Sequence, residues 1–282
     1  MREPAERARS DARRGHGWYA ALARVGLVAK GLSYGLVGVL AIKLALGEGG
    51  KATSRNGALA TLADEWFGKI VIAALALGFA AYAAWRFVQA LAEDEDESEG
   101  QAKSAAKKWG KRAGYVGRGA IYAGLTFSAV KLLMGSGGSQ SQNAKAHKTA
   151  DTLFDWPGGR WIVGLAGLAI LAAGLWNGYR AITRKFEEKW RTSEMSATER
   201  RWGGRAGMLG HLARGVVFGL IGVFVAKAAW EYNAREAIGL DGALQKLVEA
   251  SYGPWLLGLT AAGLVCYGLF CLVDARYRDV SA

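Results

Sequence analysis

Proline is almost absent from this chain, three residues in 282, whereas glycine supplies forty. Interior glycine weakens a helix in water by roughly 1 kcal/mol relative to alanine, so this composition argues against an ordinary soluble helical bundle. In a bilayer the same residue lets neighbouring helix backbones approach closely. Cysteine is nearly absent too. Cys266 and Cys271 both sit in the last apolar run, five residues apart and therefore on different helix faces. No disulfide between them is expected, and they read as small packing residues. The three histidines, His16, His147 and His211, stand apart with no metal-ligand spacing around them. No GxSxG, Walker A or HExxH element occurs, and the apolar runs contain no carboxylate. The first lack argues against a familiar catalytic constellation, the second against a proton-coupled pump, whose relays commonly use Asp or Glu. Neither an enzyme nor a bound cofactor or metal is expected.

The net charge of +12 does not point to nucleic acid, because its placement is wrong for that and no base-reading motif accompanies it. Lys and Arg lie mainly between the apolar runs, the arrangement by which a membrane protein holds its cytoplasmic loops against anionic headgroups. The N-terminus opens on Arg2, Arg7, Arg9, Arg13 and Arg14 with no apolar core and cleavage site, so no removable signal peptide is expected.

What the chain does have is one pattern written three times. A Gly is followed four residues later by Lys or Arg and at once by a second Gly, then by an aromatic at eight and a Lys at seventeen. The copies are Gly26-Lys30-Gly31-Tyr34-Lys43, Gly114-Arg118-Gly119-Tyr122-Lys131 and Gly210-Arg214-Gly215-Phe218-Lys227. Five positions kept in one spacing mean one two-helix unit used three times. Six apolar runs, 25–46, 70–88, 113–134, 161–182, 208–230 and 254–273, each have about the twenty residues a bilayer helix needs. Lys30 and Lys43 leave only residues 31–42 uninterrupted in the first run, about 18 Å of helix. The apolar sequence continues past both charges, and long basic stems reach outward to an interface, so the run is read as a span.

The organisation expected is a basic tail over 1–20, repeats over 21–92, 111–186 and 205–275, charged linkers over 93–110 and 187–204, and a tail over 276–282. Basic residues crowd 89–112 and 183–206 and are sparse in the opposite segments, which places both termini in the cytoplasm. The run Glu93-Asp94-Glu95-Asp96-Glu97, with Glu99 beyond, reads as solvated linker, and Gly135-Ser136-Gly137-Gly138-Ser139 as a flexible one. Each outer segment ends in a short amphipathic stretch (58–62, 152–154, 243–247) followed by Gly68, Gly158 or Gly253, read as a helix lying at the interface. Because each unit holds two spans, all three insert alike, and a pseudo-threefold axis along the membrane normal is expected. The fold class is thus all-α integral membrane.

Helix geometry divides the motif. Gly31, Gly35 and Gly38 share one face, as do Gly215, Gly219 and Gly222, with Gly119, Ala123 and Thr126 in the second copy. This is a seam for close helix packing, looser in the second repeat. Lys30, Arg118 and Arg214 flank the seam, with Tyr34, Tyr122 and Phe218 one turn on. They are candidates either for snorkelling to cytoplasmic lipid phosphates or for a ring of charge lining a path for an anion. Lys43, Lys131 and Lys227, at the helix ends, read as interface anchors. Tyr82 and Trp85, Trp176 and Tyr179, and Tyr267 and Phe270 read as an interfacial aromatic belt, and Arg86, Arg180 and Asp274 as boundary charges.

The triplicated pattern resembles a bacterial membrane family catalogued as domain of unknown function 1206, over roughly residues 20–275. The resemblance implies three two-helix repeats in the bacterial cytoplasmic membrane and implies no activity. A looser likeness to mitochondrial carriers is architectural only, since their Pro-x-[Asp/Glu]-x-x-[Lys/Arg] signature is missing from the helices here. The expected function is non-enzymatic: a multi-pass inner-membrane protein that binds anionic lipid or a partner membrane protein. The alternative is a small-anion transporter or channel using the inner basic trio.

Overall fold

The structure, a computed structural model, describes residues 3–48, 54–63, 65–92, 101–135 and 141–279, with the backbone alone at 3–16, 92 and 101–108. The acidic run at 93–97, Glu99 and all but the first residue of the 135–139 linker lie outside the described residues. The described residues form nine α-helices: α1 Glu3–Ala45, α2 Arg55–Ala63, α3 Gly68–Ala92, α4 Gln101–Leu133, α5 Gln142–Phe154, α6 Gly159–Thr183, α7 Ala197–Glu231, α8 Leu240–Glu249 and α9 Gly253–Tyr277. Short 3₁₀ turns at Glu187–Lys189, Thr192–Glu194 and Ala234–Glu236 complete them.

Five segments are long and apolar enough to cross a bilayer: Gly17–Ala45, Gly68–Leu91, Gly159–Thr183, Ala197–Glu231 and Gly253–Tyr277. They mark a multi-pass membrane protein. The expected span in α4 is not among them: Arg118, Lys131 and a Gly- and Tyr-rich sequence dilute its apolar character. Helix also extends into segments read as tail and linker, with α1 starting at Glu3, α4 at Gln101 and α7 at Ala197. The last start is a capping box, in which the Ser196 hydroxyl accepts from the Glu199 N–H and the Glu199 carboxylate accepts from the Ser196 N–H.

The long helices pack in the order α4–α3–α1–α9–α7–α6. The small-residue seams set close contacts between α1 and α9 and between α7 and α6. A methyl group on Gly31 or Gly38 would come within 2.8 Å of the carbonyl of Gly268 or Ala261 on α9. On α7, a methyl on Gly222 would stand 2.4 Å from the Leu171 nitrogen of α6, and one on Gly174 would meet Gly219 at 2.7 Å. The second copy is looser, as expected: Gly119 approaches only the Phe87 ring, and Ala123 is exposed.

A second kind of contact holds each repeat together, and one repeat lacks it. Gly26 lies against the Tyr82 backbone and Gly78 against Ala29, which joins α1 to α3. Gly210 lies against Tyr267 and Gly263 against Ala213, which joins α7 to α9. Helices α3, α6 and α9 are each 25 residues long, so their positions correspond directly. In α6 the matching residues are Ala169 and Ala173, where the others have Gly and Tyr. Gly114 accordingly has nothing within 4 Å of a built Cβ, and α4 and α6 have no packing comparable to the α1–α3 and α7–α9 pairs. The second repeat is split. Its first long helix packs with the first repeat and its second with the third.

The short helices do not simply lie flat at an interface. Asn56, Ala58 and Leu59 of α2 are buried, as are Leu240, Asp241, Ala243, Leu244 and Leu247 of α8, because their apolar faces seat against the long helices. Each is followed by a glycine the backbone requires: Cβ atoms on Gly68, Gly159 and Gly253 would lie within 2 Å of a preceding carbonyl. In the second repeat that residue is Gly159, while Gly158 caps α6 with φ +76°.

The aromatic belt needs correction. Tyr82, Trp85, Tyr267 and Phe270 are buried inside, at 1–4% exposure, and only Trp176 and Tyr179 face outward, at 56% and 42%. Packing of α3 and α9 against their neighbours covers those positions, whereas the corresponding face of α6 is uncovered. Arg86 and Asp274 are likewise buried rather than boundary charges, and Arg180 is half-buried.

The seams predict a contrast. Gly222→Ala forces a methyl group into α6 backbone and should lower the thermal midpoint in detergent, by about 1–3 kcal/mol of overpacking. Gly124→Ala meets nothing within 4 Å and should leave the midpoint unchanged or raise it. Equal midpoints for the two variants would refute the α6–α7 packing described here.

Candidate functional site

Two of the three inner basic residues come together inside the helix bundle. Lys30 on α1 and Arg214 on α7 both turn onto Tyr267 of α9, with the Lys30 Nζ 5.1 Å and the Arg214 guanidinium 4.5 Å from its ring centroid. Arg214 donates to the Tyr267 hydroxyl at 2.6 Å and also lies over Tyr34 and Phe218, at 5.4 and 5.0 Å. Lys30 has a second ring, Tyr82, at 5.6 Å. Both residues are half-buried and point into the bundle rather than out to an interface. The tyrosines stand there because Gly26 and Gly210 admit the Tyr82 and Tyr267 backbones.

Arg118 is placed differently. It is exposed, and among the described residues it makes no hydrogen bond, ion pair or ring contact, although it lies within electrostatic reach of Arg86, Tyr82, Arg214 and Tyr115. The motif aromatics follow the same division. Tyr34 packs on Tyr267 at 4.8 Å and Tyr122 on Tyr82 at 4.3 Å, each on a tyrosine of the preceding repeat in the cycle. Phe218 would need a partner at position 173, which is alanine, and packs under Arg214 instead.

Sequence reasoning missed one cation altogether. Arg55, at the start of α2, reaches from the outer segment to the Tyr34 and Tyr122 rings, at 5.3 and 5.4 Å. The nitrogens Nε of Arg55, Arg86 and Arg214 and the Oδ1 of Asn56 are buried with no hydrogen-bond partner. None of Lys30, Arg55, Arg86, Arg118 or Arg214 pairs with a carboxylate among the described residues. Tyrosine faces and hydroxyls offset part of this charge, and donors that point inward without acceptors suit an anion.

The outer lysines lie at exposed helix ends. Lys227 bonds Glu236 at 2.8 Å and sits 3.7 Å from Glu231, Lys131 lies over Phe127, and Lys43 is exposed.

At the opposite end the connection between α6 and α7 is strapped to the C-terminus. The Arg191 N–H donates to the Tyr277 carbonyl and the Asp279 N–H to the Lys189 carbonyl, each at 2.8 Å. The Trp190 indole donates to Asp274 at 3.1 Å, and Arg278 pairs with the same carboxylate at 2.7 Å. Phe186 goes under the strap and stacks on buried His211, 4.9 Å between ring centroids. His211 has no sequence signal, since Leu27 and Tyr115 hold its place in the other copies. Arg86 donates to Tyr82 and Gln89, each at 2.6 Å, and shares the Trp85 ring with Arg278, at 4.1 and 5.3 Å.

Lys189, at the rim of the strap, is held below its ordinary range, at about 8, first by partial burial of its amine and then by Arg278, Arg180 and Arg86. Its protonation therefore opposes the folded strap. Below pH 8 the full penalty is present. Between 8 and the unfolded value of 10.5 only the unfolded chain binds the proton, so stability rises with pH. Solvent at the rim screens the effect. In detergent, wild type should gain stability from pH 7.5 to 10 relative to Lys189→Gln. Parallel curves would remove this assignment.

The profile of a family described as Domain of Unknown Function (DUF1206) matches three stretches of the chain, residues 25–93, 113–184 and 209–278. The chain is also similar to an uncharacterised protein of Bacillus subtilis, YxxB, at 27% identity over 266 residues, covering 94% of this chain and 93% of the relative. No solved structure matches.

Proposed function

The chain belongs to the DUF1206 family, and we propose that this member is a non-enzymatic membrane protein that binds an anionic group inside its helix bundle, at Lys30, Arg55 and Arg214. The observation that carries this reading is the convergence of Lys30 and Arg214 on Tyr267, with no paired carboxylate among the described residues. A phosphate-like group would accept from the unpartnered Arg214 and Arg55 Nε positions while the tyrosine rings face the cation stems. That group is carried either by an anionic lipid or by a small solute.

The surrounding architecture is part of the proposal. Helix α4 is the sixth span, the three repeats are related by a pseudo-threefold axis that the second repeat breaks, and both termini are cytoplasmic in the bacterial inner membrane. Lys43, Lys131 and Lys227 anchor the outer helix ends, and a partner membrane protein is a further occupant for the exposed long helices. One observation favours transport of a small anion as the second reading. Basic groups run from Arg55 on the outer segment, through Lys30 and Arg214, to Arg86, Arg180 and Arg278 at the strapped end.

Thermal shift in lipid-free detergent tests the site with inorganic phosphate, and native mass spectrometry tests it with phosphatidylglycerol. The Lys30→Gln/Arg214→Gln variant should lose about tenfold or more in affinity for whichever binds, as expected from losing hydrogen bonds to charged groups. Lys43→Gln/Lys227→Gln should keep it. Binding of neither ligand by folded wild type, or binding untouched by the inner substitutions, overturns the assignment. Phosphate flux into proteoliposomes that the inner pair abolishes selects transport.

A further inference from the structure

The split second repeat leaves a side opening in the bundle, and its residues select an occupant. In the first and third repeats the two long helices close on each other through Gly26 with Tyr82 and Gly210 with Tyr267. In the second repeat Gly114 meets nothing within 4 Å, and Ala173 replaces the tyrosine. The burial of the next turn follows. Trp85 and Phe270 are 1% and 4% exposed, whereas Trp176, at the same helix position, is 56% exposed. On the side of Ala169 and Ala173, α6 exposes Leu165 and Trp176, and on the side of Gly114, α4 exposes Ile121. These side chains are apolar, and α6 is long and apolar enough to cross a bilayer.

Charge enters this opening from the site. Arg118, on α4, is exposed and within electrostatic reach of Arg214 and Arg86. The Nε atoms of those two arginines are buried and unpartnered, and Arg86 is only 5% exposed. An opening with apolar walls at membrane depth and guanidinium groups at its inner edge matches one chemistry: an anionic headgroup on acyl chains. A free anion in water has no comparable use for the apolar walls, and Phe186 and Trp190 lie across the aqueous end of α7 and α9.

We infer that the gap between α4 and α6 is a lateral portal through which a phosphate-headed lipid places its headgroup on Arg118 and Arg214 while its chains stay in the bilayer. This rests on the anion-binding reading above and names the source of the anion. Arg118, set apart from the other two motif cations, is the portal residue.

The test fills the gap without touching the basic cluster. Gly114→Trp adds bulk where a side chain has open space, and Ala169→Gly/Ala173→Tyr imports the closing residues of the other two repeats. Phosphatidylglycerol retention against phosphatidylcholine is measured by native mass spectrometry on wild type, both gap variants and Arg118→Gln. Stabilisation by inorganic phosphate is measured in lipid-free detergent on the same proteins. Each variant should lose phosphatidylglycerol by about tenfold, while the gap variants keep the wild-type phosphate response, which also shows that they are folded. Undiminished phosphatidylglycerol on both gap variants overturns the portal but leaves the anion site standing. Failure of wild type to bind either ligand removes the site and the portal together. A wild-type dimer that Gly114→Trp converts to monomer, with no selective phosphatidylglycerol retention, assigns the gap to a second copy instead and also overturns the portal.

Discussion

Positive charge held inside a low-dielectric bundle, with no carboxylate partner among the described residues, is the constraint on which the rest of this structure depends. Isolated charges away from water cost several kcal/mol each, and like charges raise the cost further. Lys30, Arg55, Arg86 and Arg214 meet that cost only in part, through tyrosine faces and the hydroxyls of Tyr82 and Tyr267. A purely structural bundle of this composition would replace them with apolar residues, which often leaves stability equal or better. Their presence in the interior, with Nε groups unpartnered, fits a site completed by a negative ligand.

The glycines make that cluster possible. The two tyrosines that take up Lys30 are brought within reach by a glycine on the neighbouring helix, Gly26 for Tyr82 and Gly210 for Tyr267. The seams Gly31–Gly38 and Gly215–Gly222 then draw α1 onto α9 and α7 onto α6. Packing and site are therefore one design. A substitution that opened the Gly210 contact would move the Tyr267 ring away from both Lys30 and Arg214.

Much of this was legible in the sequence, because the five-position motif is periodic and the spans are long. The seams and the short outer helices follow from spacing, which also singles out Lys30 and Arg214, but spacing does not tell that Arg118 stands apart from them. The burial of Tyr82, Trp85, Tyr267 and Phe270 did not, because an aromatic near a helix end reads the same whether it faces headgroups or a neighbouring helix. Arg55 was hidden for a different reason. It precedes a short helix in a polar segment, and only the tertiary fold brings α2 over Tyr34 and Tyr122. The start of α7 is marked by Ser196-x-x-Glu199, a capping signal that the reading of 187–204 as charged linker did not use.

The second repeat shows where the repetition breaks. Its Ala123 and Thr126 suggested a looser seam, yet the larger departure is in the partner helix, at Ala169 and Ala173. Those two residues remove a glycine contact and a tyrosine at once. The consequences are coupled: α4 and α6 separate, Trp176 loses its cover, Phe218 loses the ring partner that Tyr34 and Tyr122 have, and Arg118 is left at an open edge. Losing one tyrosine leaves two cations gathered on Tyr267 and a third beside α6, with which α4 has no comparable packing among the described residues.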